Sequence, residues 1–447
     1  MRKATSYVLA SGEKPVMFDT RVLSLPGILL AVIIASIPAA GLAETVEDWL
    51  KGDNMTGDWG GLRSKLHEAG VDPTGSFVGE FAGNPTGGRR QGASYDHEID
   101  FGADFDLEKL LQLHGTTFHF LLAEYAGKSL SDDRIGNLFQ VQEVFDGKPD
   151  TRLANLSIEQ NLSDGGVNIK VGRFSAGDDF ALVDVAKNFQ SGGIQPVPAA
   201  LTLNSGFTTA PIPSWGGRIK TKLSDTVFVQ AGAYEVNPTL AEPSNGFKLS
   251  TSGATGAIVP VEIDWNPTNP LLKLPGEYRF GGYYDSSDVK DVSSAVDEAA
   301  PTRHGRWGLY FLGQQAVYRE AANSSRGLTV FAGGEFGDPF TAEIEWFLEA
   351  GLVYQGTFAG RDNDTVNLAL VRGWINNRLI DAQEDADQLH PDSEVVQSAE
   401  TVIELNYGAE ITPWFTLRPG FQFVFDPGGY DNVPTAVVLG LQSSVTF

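Results

Sequence analysis

From Gly75 to the final residue the chain keeps returning to one pattern, and few folds accommodate it. Apolar residues alternate with polar or small ones over long stretches, the signature of strands with two unlike faces. The last stretch is typical. Val437, Leu439, Leu441, Ser443, Val445 and Phe447 occupy one parity, and Val438, Gly440, Gln442, Ser444 and Thr446 the other. The most informative stretch is Ile99, Phe101, Ala103, Phe105 and Leu107 against Asp100, Gly102, Asp104 and Asp106, with three carboxylates on one face. Strands around 167–172, 227–234, 403–411 and 415–425 repeat the pattern. Such faces suit either a soluble β-sandwich with a dry core or a barrel with lipid outside and water inside. Alternation alone leaves both open.

Length and number of segments favour the barrel. About fifteen or more segments are present, many of roughly nine to twelve residues, against the 9–11 or so that a tilted membrane strand requires. A strand that ends on an exposed aromatic terminus is an edge liability in a soluble protein, whereas a closed barrel has no edge. Aromatics such as Trp307, Trp346, Trp414, Tyr283, Tyr284 and Tyr430 sit near segment ends, where membrane-interface girdles lie. The connections differ in length. Short polar turns (163–166, 223–225) contrast with long stretches at 176–214, 237–275 (six prolines), 285–306 and 376–398. Loops of that length are uncommon in compact soluble domains and normal on one side of a porin-like barrel. The expected fold is all-β: an outer-membrane barrel of about 16 antiparallel strands with a short amino-terminal helix, wide enough for an aqueous channel.

Residues 1–43 read as a cleaved secretory signal. The apolar run at 25–40 follows Arg21, and Gly41-Leu42-Ala43 provides small residues at a cleavage site. Met17 is an alternative start. Losing the leader's four basic and two acidic residues takes the net charge from −25 to −27. Residues 44–72 carry the one clear helical signal, with Leu62, Leu66 and Ala69 on one face, Gly70 as the stop and Pro73 beyond it. Residues 73–447 are expected to form the barrel.

Composition removes whole classes of function. With no cysteine there is no thiol catalysis, Cys-ligated zinc or disulfide. A net charge of −25 argues against nucleic acid as a partner. The six histidines (67, 97, 114, 119, 304 and 390) are scattered and form no HExxH pair, so no metal or other cofactor is expected. Asp178 and Asp179 are the one carboxylate pair suggestive of glycoside hydrolysis, but they adjoin one another in a Gly-rich loop.

Basic and aromatic residues where strands give way to loops are the better candidates. Arg90, Lys170, Arg173, Asp178, Asp179, Trp215, Arg218 and Arg279 combine donors, carboxylates and rings that suit a polyhydroxylated solute. A solvated lumen charge or girdle position is the plain alternative for each.

Several stretches resemble the carbohydrate-selective porin family, the OprB-type outer-membrane porins. They are TGDWGGLR at 56–63, GNP through RQG at 83–92, IGNLF at 135–139, KVGRFSAGDDF at 170–180, WGGR through YEVNP at 215–238, PGEYRFGGYY at 275–284, and PGG at 427–429 before the terminal strand. They run in order over nearly all of the mature chain. The resemblance implies a 16-stranded barrel in the outer membrane of a Gram-negative bacterium, passing glucose and similar monosaccharides by passive diffusion without enzymatic activity. Expected partners are outer-membrane lipid and lipopolysaccharide and the β-barrel assembly machinery at Phe447, with the protein a monomer or homotrimer. Relatives with an added cell-wall module differ, since this chain is expected to hold none. The alternatives are a general or sugar-acid porin on the same barrel, and a secreted β-rich carbohydrate-binding protein or hydrolase. Residues 176–214 are the expected constriction loop; 242–274 carry no family signal.

Overall fold

The computed structural model describes residues 46–447 except 145–148, 270–271, 297–298, 322–323 and 390–395. The expected leader and His390 lie outside the described residues. Sixteen strands run in sequence: β1 Val71–Thr86, β2 Gly92–Asp106, β3 Thr116–Gly127, β4 Asp150–Leu162, β5 Val167–Phe174, β6 Ser214–Lys222, β7 Val227–Val236, β8 Gly256–Trp265, β9 Gly276–Lys290, β10 Thr302–Arg319, β11 Gly327–Gly337, β12 Ile344–Gln355, β13 Thr365–Ile375, β14 Ala399–Thr412, β15 Phe415–Phe425 and β16 Ala436–Thr446. Each pairs antiparallel with its neighbours, and β16 closes on β1 in the register Ser76↔Thr446 to Gly83↔Leu439.

Closure satisfies every edge, which is what a wall in lipid needs, because no water is there to pair stray amides. No helix among the described residues is long and apolar enough to cross a membrane. The outward parity is apolar and exposed: Leu309 is 56% and Trp346 54% accessible, with Val261, Phe280, Leu348 and Leu439 alike. These large side chains have no protein neighbour to cover them, so the soluble-sandwich alternative does not describe this chain.

Three corrections to the sequence reading follow. The stretch 237–275 is not one long loop, because it contains β8, whose outward Val259, Val261, Ile263 and Trp265 alternate with inward Ile258, Pro260, Glu262 and Asp264. Pro260 hid it, since proline cannot donate to a ladder and argues against a central strand. The loop between β9 and β10 is likewise shorter than 285–306, because both strands extend past the expected rim. Helices are also more numerous than the one expected. Besides α1 (Val46–Lys51) and α2 (Leu62–Ala69), the chain forms α3 (Leu107–Leu111), α4 (Ala199–Asn204) and α5 (Asn377–Leu389). The α5 sequence is largely polar and acidic, so it looked like loop.

The amino-terminal segment is seated on the barrel seam. Trp49 packs on Trp414 with ring centroids 4.8 Å apart, Met55 N–H donates to the Thr446 carbonyl at 2.8 Å, and Arg63 donates to the Phe447 main-chain oxygen at 2.7 Å. Gly70 ends α2 at φ 92°, its N–H bonded to the His67 carbonyl. At the opposite end the β1–β2 turn passes so close to Thr435 that a Cβ on Gly87 (φ +75°) would sit 1.9 Å from its carbonyl oxygen, so only glycine fits.

The longest connections, 128–149, 175–213, 237–255 and 376–398, all lie at one end, and the shortest turns, 163–166, 223–226 and 413–414, at the other, beside Phe447. Two long ones turn inward. Residues 128–144 and 175–213 enter the barrel and carry their own apolar side chains, among them Ile135, Phe139, Phe180, Phe189 and Leu201, against inward-facing Tyr234, Ile258, Leu312, Phe331 and Val371. A dry core thus fills part of the lumen, and inward positions there are apolar although the wall's outer face is apolar too.

Candidate solute path through the barrel

The infolded loops are fixed by carboxylates on the wall. Glu404 of β14 accepts from the Gln190 and Ser191 amides at 2.9 and 2.8 Å. Glu262 of β8 accepts from Ala181 at 2.7 Å, and Asp285 of β9 from Gly206 at 2.9 Å. Glu400 of β14 takes the Leu138 and Phe139 amides at 2.7 and 2.9 Å, and Glu80 of β1 the Val144 amide at 3.2 Å. Main-chain donors that turn away from a sheet must find acceptors once buried, and ionisable acceptors bind them more strongly than neutral ones. Asn204 completes the set by exchanging two hydrogen bonds with the Ile344 backbone, at 2.8 and 3.1 Å.

What remains open lies along the inner face of β2–β9. Inward positions on adjacent strands bring together a belt of alternating charge. Lys170 of β5 and Arg218 of β6 are direct cross-strand partners. Asp179, from the infolded loop, bridges them, 3.3 Å from Lys170 Nζ and 2.9 Å from an Arg218 nitrogen. Glu159 on β4 lies 3.6 Å from the same guanidinium. Lys170 also stands over the Phe174 ring at 4.4 Å, which steadies its ammonium group. The belt continues through Lys220–Asp264 at 2.6 Å and Arg279, which meets both Glu262 and Glu277. His119 lies between Asp104 (2.7 Å) and Glu159 (3.4 Å). The three-carboxylate face of the strand at 99–107 is therefore the lumen face of β2.

Asp178, beside Asp179 on the loop, is half-buried. Burial pushes its carboxyl up to about 6, with Lys170 opposing the shift and Asp179 adding to it. On the other infolded loop, burial likewise raises Glu143 against the pull of Arg418.

The candidate residues separate cleanly. Lys170, Asp178, Asp179, Arg218 and Arg279 gather around the lumen. Arg173 and Trp215 are elsewhere: as cross-strand partners they share the outward parity with Val171 and Ile219. There the β7–β8 loop covers them. Trp215 donates to the Leu249 carbonyl at 2.8 Å, and Arg173, almost fully buried, donates to the Leu153 carbonyl. Odd spacing from Lys170 already put Arg173 on the other face. Arg90 is exposed at the β1–β2 tip, donating to the Asp133 carbonyl at 2.6 Å.

Sequence reasoning missed a cavity of about 530 Å³ between the infolded loops and the wall. Its polar lining includes Glu98, Tyr125, Glu143, Asp150, Arg152 and Thr209. Arg152 pairs with Asp150 at 2.6 Å and donates to the Leu240 and Ala241 carbonyls at 2.6 and 3.0 Å. Tyr125 donates to Glu98. Alternation was obscured here because the β3–β4 register shifts at Leu121/Leu122, inserting Ala154 as an extra residue.

A closed 16-stranded barrel with an apolar exterior, a charged lumen and infolded loops defines a porin. The family description "Carbohydrate-selective porin, OprB family" matches residues 90–447. Porin B of Pseudomonas aeruginosa is 35% identical over 418 residues, covering 88% of this chain and 91% of that one. The high-pH structure of Pseudomonas putida OprB superimposes with a TM-score of 0.84 at 34% identity, over 89% of this chain and 99% of that one. The low-pH structure of the same protein gives 0.58 at 27% identity, with the same coverage. The chain belongs to the carbohydrate-selective porin family, whose members are channels of the Gram-negative outer membrane.

Proposed function

We propose that this porin passes monosaccharides such as glucose by passive diffusion across the outer membrane. The observation that carries the reading is the Lys170–Asp179–Arg218 constellation, where donors and acceptors are held ready by one another beside the constriction loop. A sugar hydroxyl both donates and accepts, so it can exchange with either partner of such a pair at low net cost. Weak contacts at several points let a solute enter and leave. A second reading, a sugar-acid or general porin, draws support from four cations on β5, β6 and β9, Lys170, Arg218, Lys220 and Arg279. Each is matched by a carboxylate, and that balance favours neutral sugars over anions.

Residues 1–43 are proposed as the cleaved leader and the remainder as the mature porin, β1 starting at Val71, two residues ahead of the expected boundary. Lipid and lipopolysaccharide would contact the apolar wall. The assembly machinery would read Phe447 before closure, because in the folded chain its ring stacks on Phe101 and is largely buried. The functional test is swelling of protein-loaded liposomes in isosmotic glucose, gluconate and a disaccharide. Glucose is expected to enter fastest. Equal entry of all three would overturn selectivity, and faster gluconate entry would establish the sugar-acid reading.

A further inference from the structure

We propose that the barrel holds a second monosaccharide subsite at its short-turn end, built by β1–β3 together with the amino-terminal segment. This inference rests on the sugar-channel reading above and extends it from one site to two.

A hollow of about 350 Å³, separate from the 530 Å³ cavity, is lined by Asn54, Thr74, Ser76, Asp100, Leu121 and Phe447 among others. Its origin is legible in the β2 ladder. Inward positions there run Glu98, Asp100, Gly102, Asp104, and with no side chain at Gly102 its neighbours close over that position: a Cβ there would lie 2.4 Å from the Phe120 carbonyl oxygen, 2.9 Å from Leu121 Cδ1 and 3.1 Å from Thr74 Oγ1. Thr74 and Leu121 come from the two neighbouring strands, in the row Thr74↔Gly102↔Leu121, and form one wall of the hollow beside Asp100.

The chemistry around the hollow suits a polyol. Asp100 Oδ2 accepts from Ser76 Oγ at 3.3 Å, while its buried Oδ1 takes no hydrogen bond from an amide or an alcohol and the carboxyl lies against that of Glu98. The next carboxyl up the strand, Glu98, already accepts from Tyr125. A buried acceptor without a donor is costly, and a hydroxyl entering the hollow supplies the missing one. Thr74, Ser76 and Asn54 add both donors and acceptors, and Leu121 offers an apolar surface for a sugar's C–H face. Asn54 is held in place by the chain on either side: its carbonyl accepts from Gly57 at 3.0 Å and the Met55 amide is bonded to Thr446.

Position gives the hollow a role. Glu98 lines the larger cavity and Asp100 the smaller, and the two are successive inward residues of one strand, about 6–7 Å apart. A solute leaving the Glu98 cavity therefore meets further partners one rung below, in a place apart from the Lys170–Asp179–Arg218 constellation, so release from one is coupled to capture by the next.

The test is glucose titration of ion current through single channels of the full mature protein in planar bilayers, with glucose added to each side in turn. Asp100→Ala removes an ionisable acceptor and is expected to raise the half-blocking glucose concentration about tenfold from the short-turn side, and less from the other. Ser76→Ala is expected to raise it about threefold. Asn54→Ala lies outside the barrel strands, so it reports on the subsite even if a strand variant fails to insert. Unchanged glucose block in Asn54→Ala and in whichever strand variants insert, with the parent protein blocked normally, would overturn the second subsite and leave the sugar-channel reading standing. Absence of any glucose block in the parent would overturn both.

Discussion

Replacing Glu404 with alanine should loosen the constriction without unmaking the barrel. Glu404 is 1% accessible, and its two oxygens accept the Gln190 and Ser191 amides, themselves buried. Alanine leaves two buried donors without acceptors, at about 1–3 kcal/mol each, so the local cost is about 2–6 kcal/mol. That multiplies the population of a locally opened loop by about 30-fold to 10⁴-fold. The opening stays local, because Ala181, Val185 and Gly206 keep their bonds to Glu262, Gln314 and Asp285. The strand ladders are untouched, so the variant should insert normally. In single-channel recordings its conductance should rise and become noisy. In liposome swelling the disaccharide should enter at a rate approaching that of glucose. Glu404→Gln keeps an acceptor oxygen and should fall between the two. Quiet channels with parental exclusion of the disaccharide from Glu404→Ala would refute the claim that this carboxylate fixes the aperture.

Other consequences are directly measurable. Asp178, raised to about 6 by burial, favours the folded state fully below its ordinary value near 3.8 and loses that contribution as pH rises through 6. Cation preference, read as a reversal potential in a salt gradient, should therefore rise between pH 5 and 7, and Asp178→Asn should remove that part of the rise. Asp291, in the β9–β10 loop, is held well below its ordinary value, despite its burial, by hydrogen bonds from Arg378, Arg303 and Ser293. Its contribution is present above the ordinary carboxylate range and is lost as pH falls below it, and Asp291→Ala should cost about 1–3 kcal/mol at neutral pH, seen as a lower unfolding temperature of the detergent-solubilised barrel. Arg218→Ala removes a donor from Asp179 and should slow glucose swelling about fivefold to tenfold, with gluconate slowed more, because a carboxylate is left unmatched.

Strand faces were legible because a period of two survives any tertiary context: the Ile99–Leu107 stretch reads the same in sequence and structure, with Asp100 and Asp104 in the lumen. The cluster at Lys170, Asp179 and Arg218 was legible as a set of residue types. Its division from Arg173 and Trp215 was legible only by counting parity from Lys170. Other features were not accessible in this way. Pro260 disguised β8, and the polar sequence of Asn377–Leu389 disguised a helix. The carboxylates that anchor the loops follow the same alternation as any lumen acid. Nothing local separates Glu404, whose partners lie more than 200 residues away, from Asp104, which faces the open path. Arg152 lay beyond a bulge that reset the parity.

The anchors grip amide hydrogens, not side chains. Glu404, Glu400, Glu262, Asp285 and Glu80 impose almost no demand on which amino acid stands at the positions they hold, beyond excluding proline, which has no N–H to offer. Fastening and filtering thus fall to different residues: the wall carboxylates, together with Asn204 and the insert's apolar side chains, specify where the insert sits, and its lumen-facing side chains specify what it admits. A chain built this way can be given a new filter by rewriting the lumen-facing residues of 175–213 while the sockets stay as they are, like a lock whose cylinder is exchanged without recutting the door.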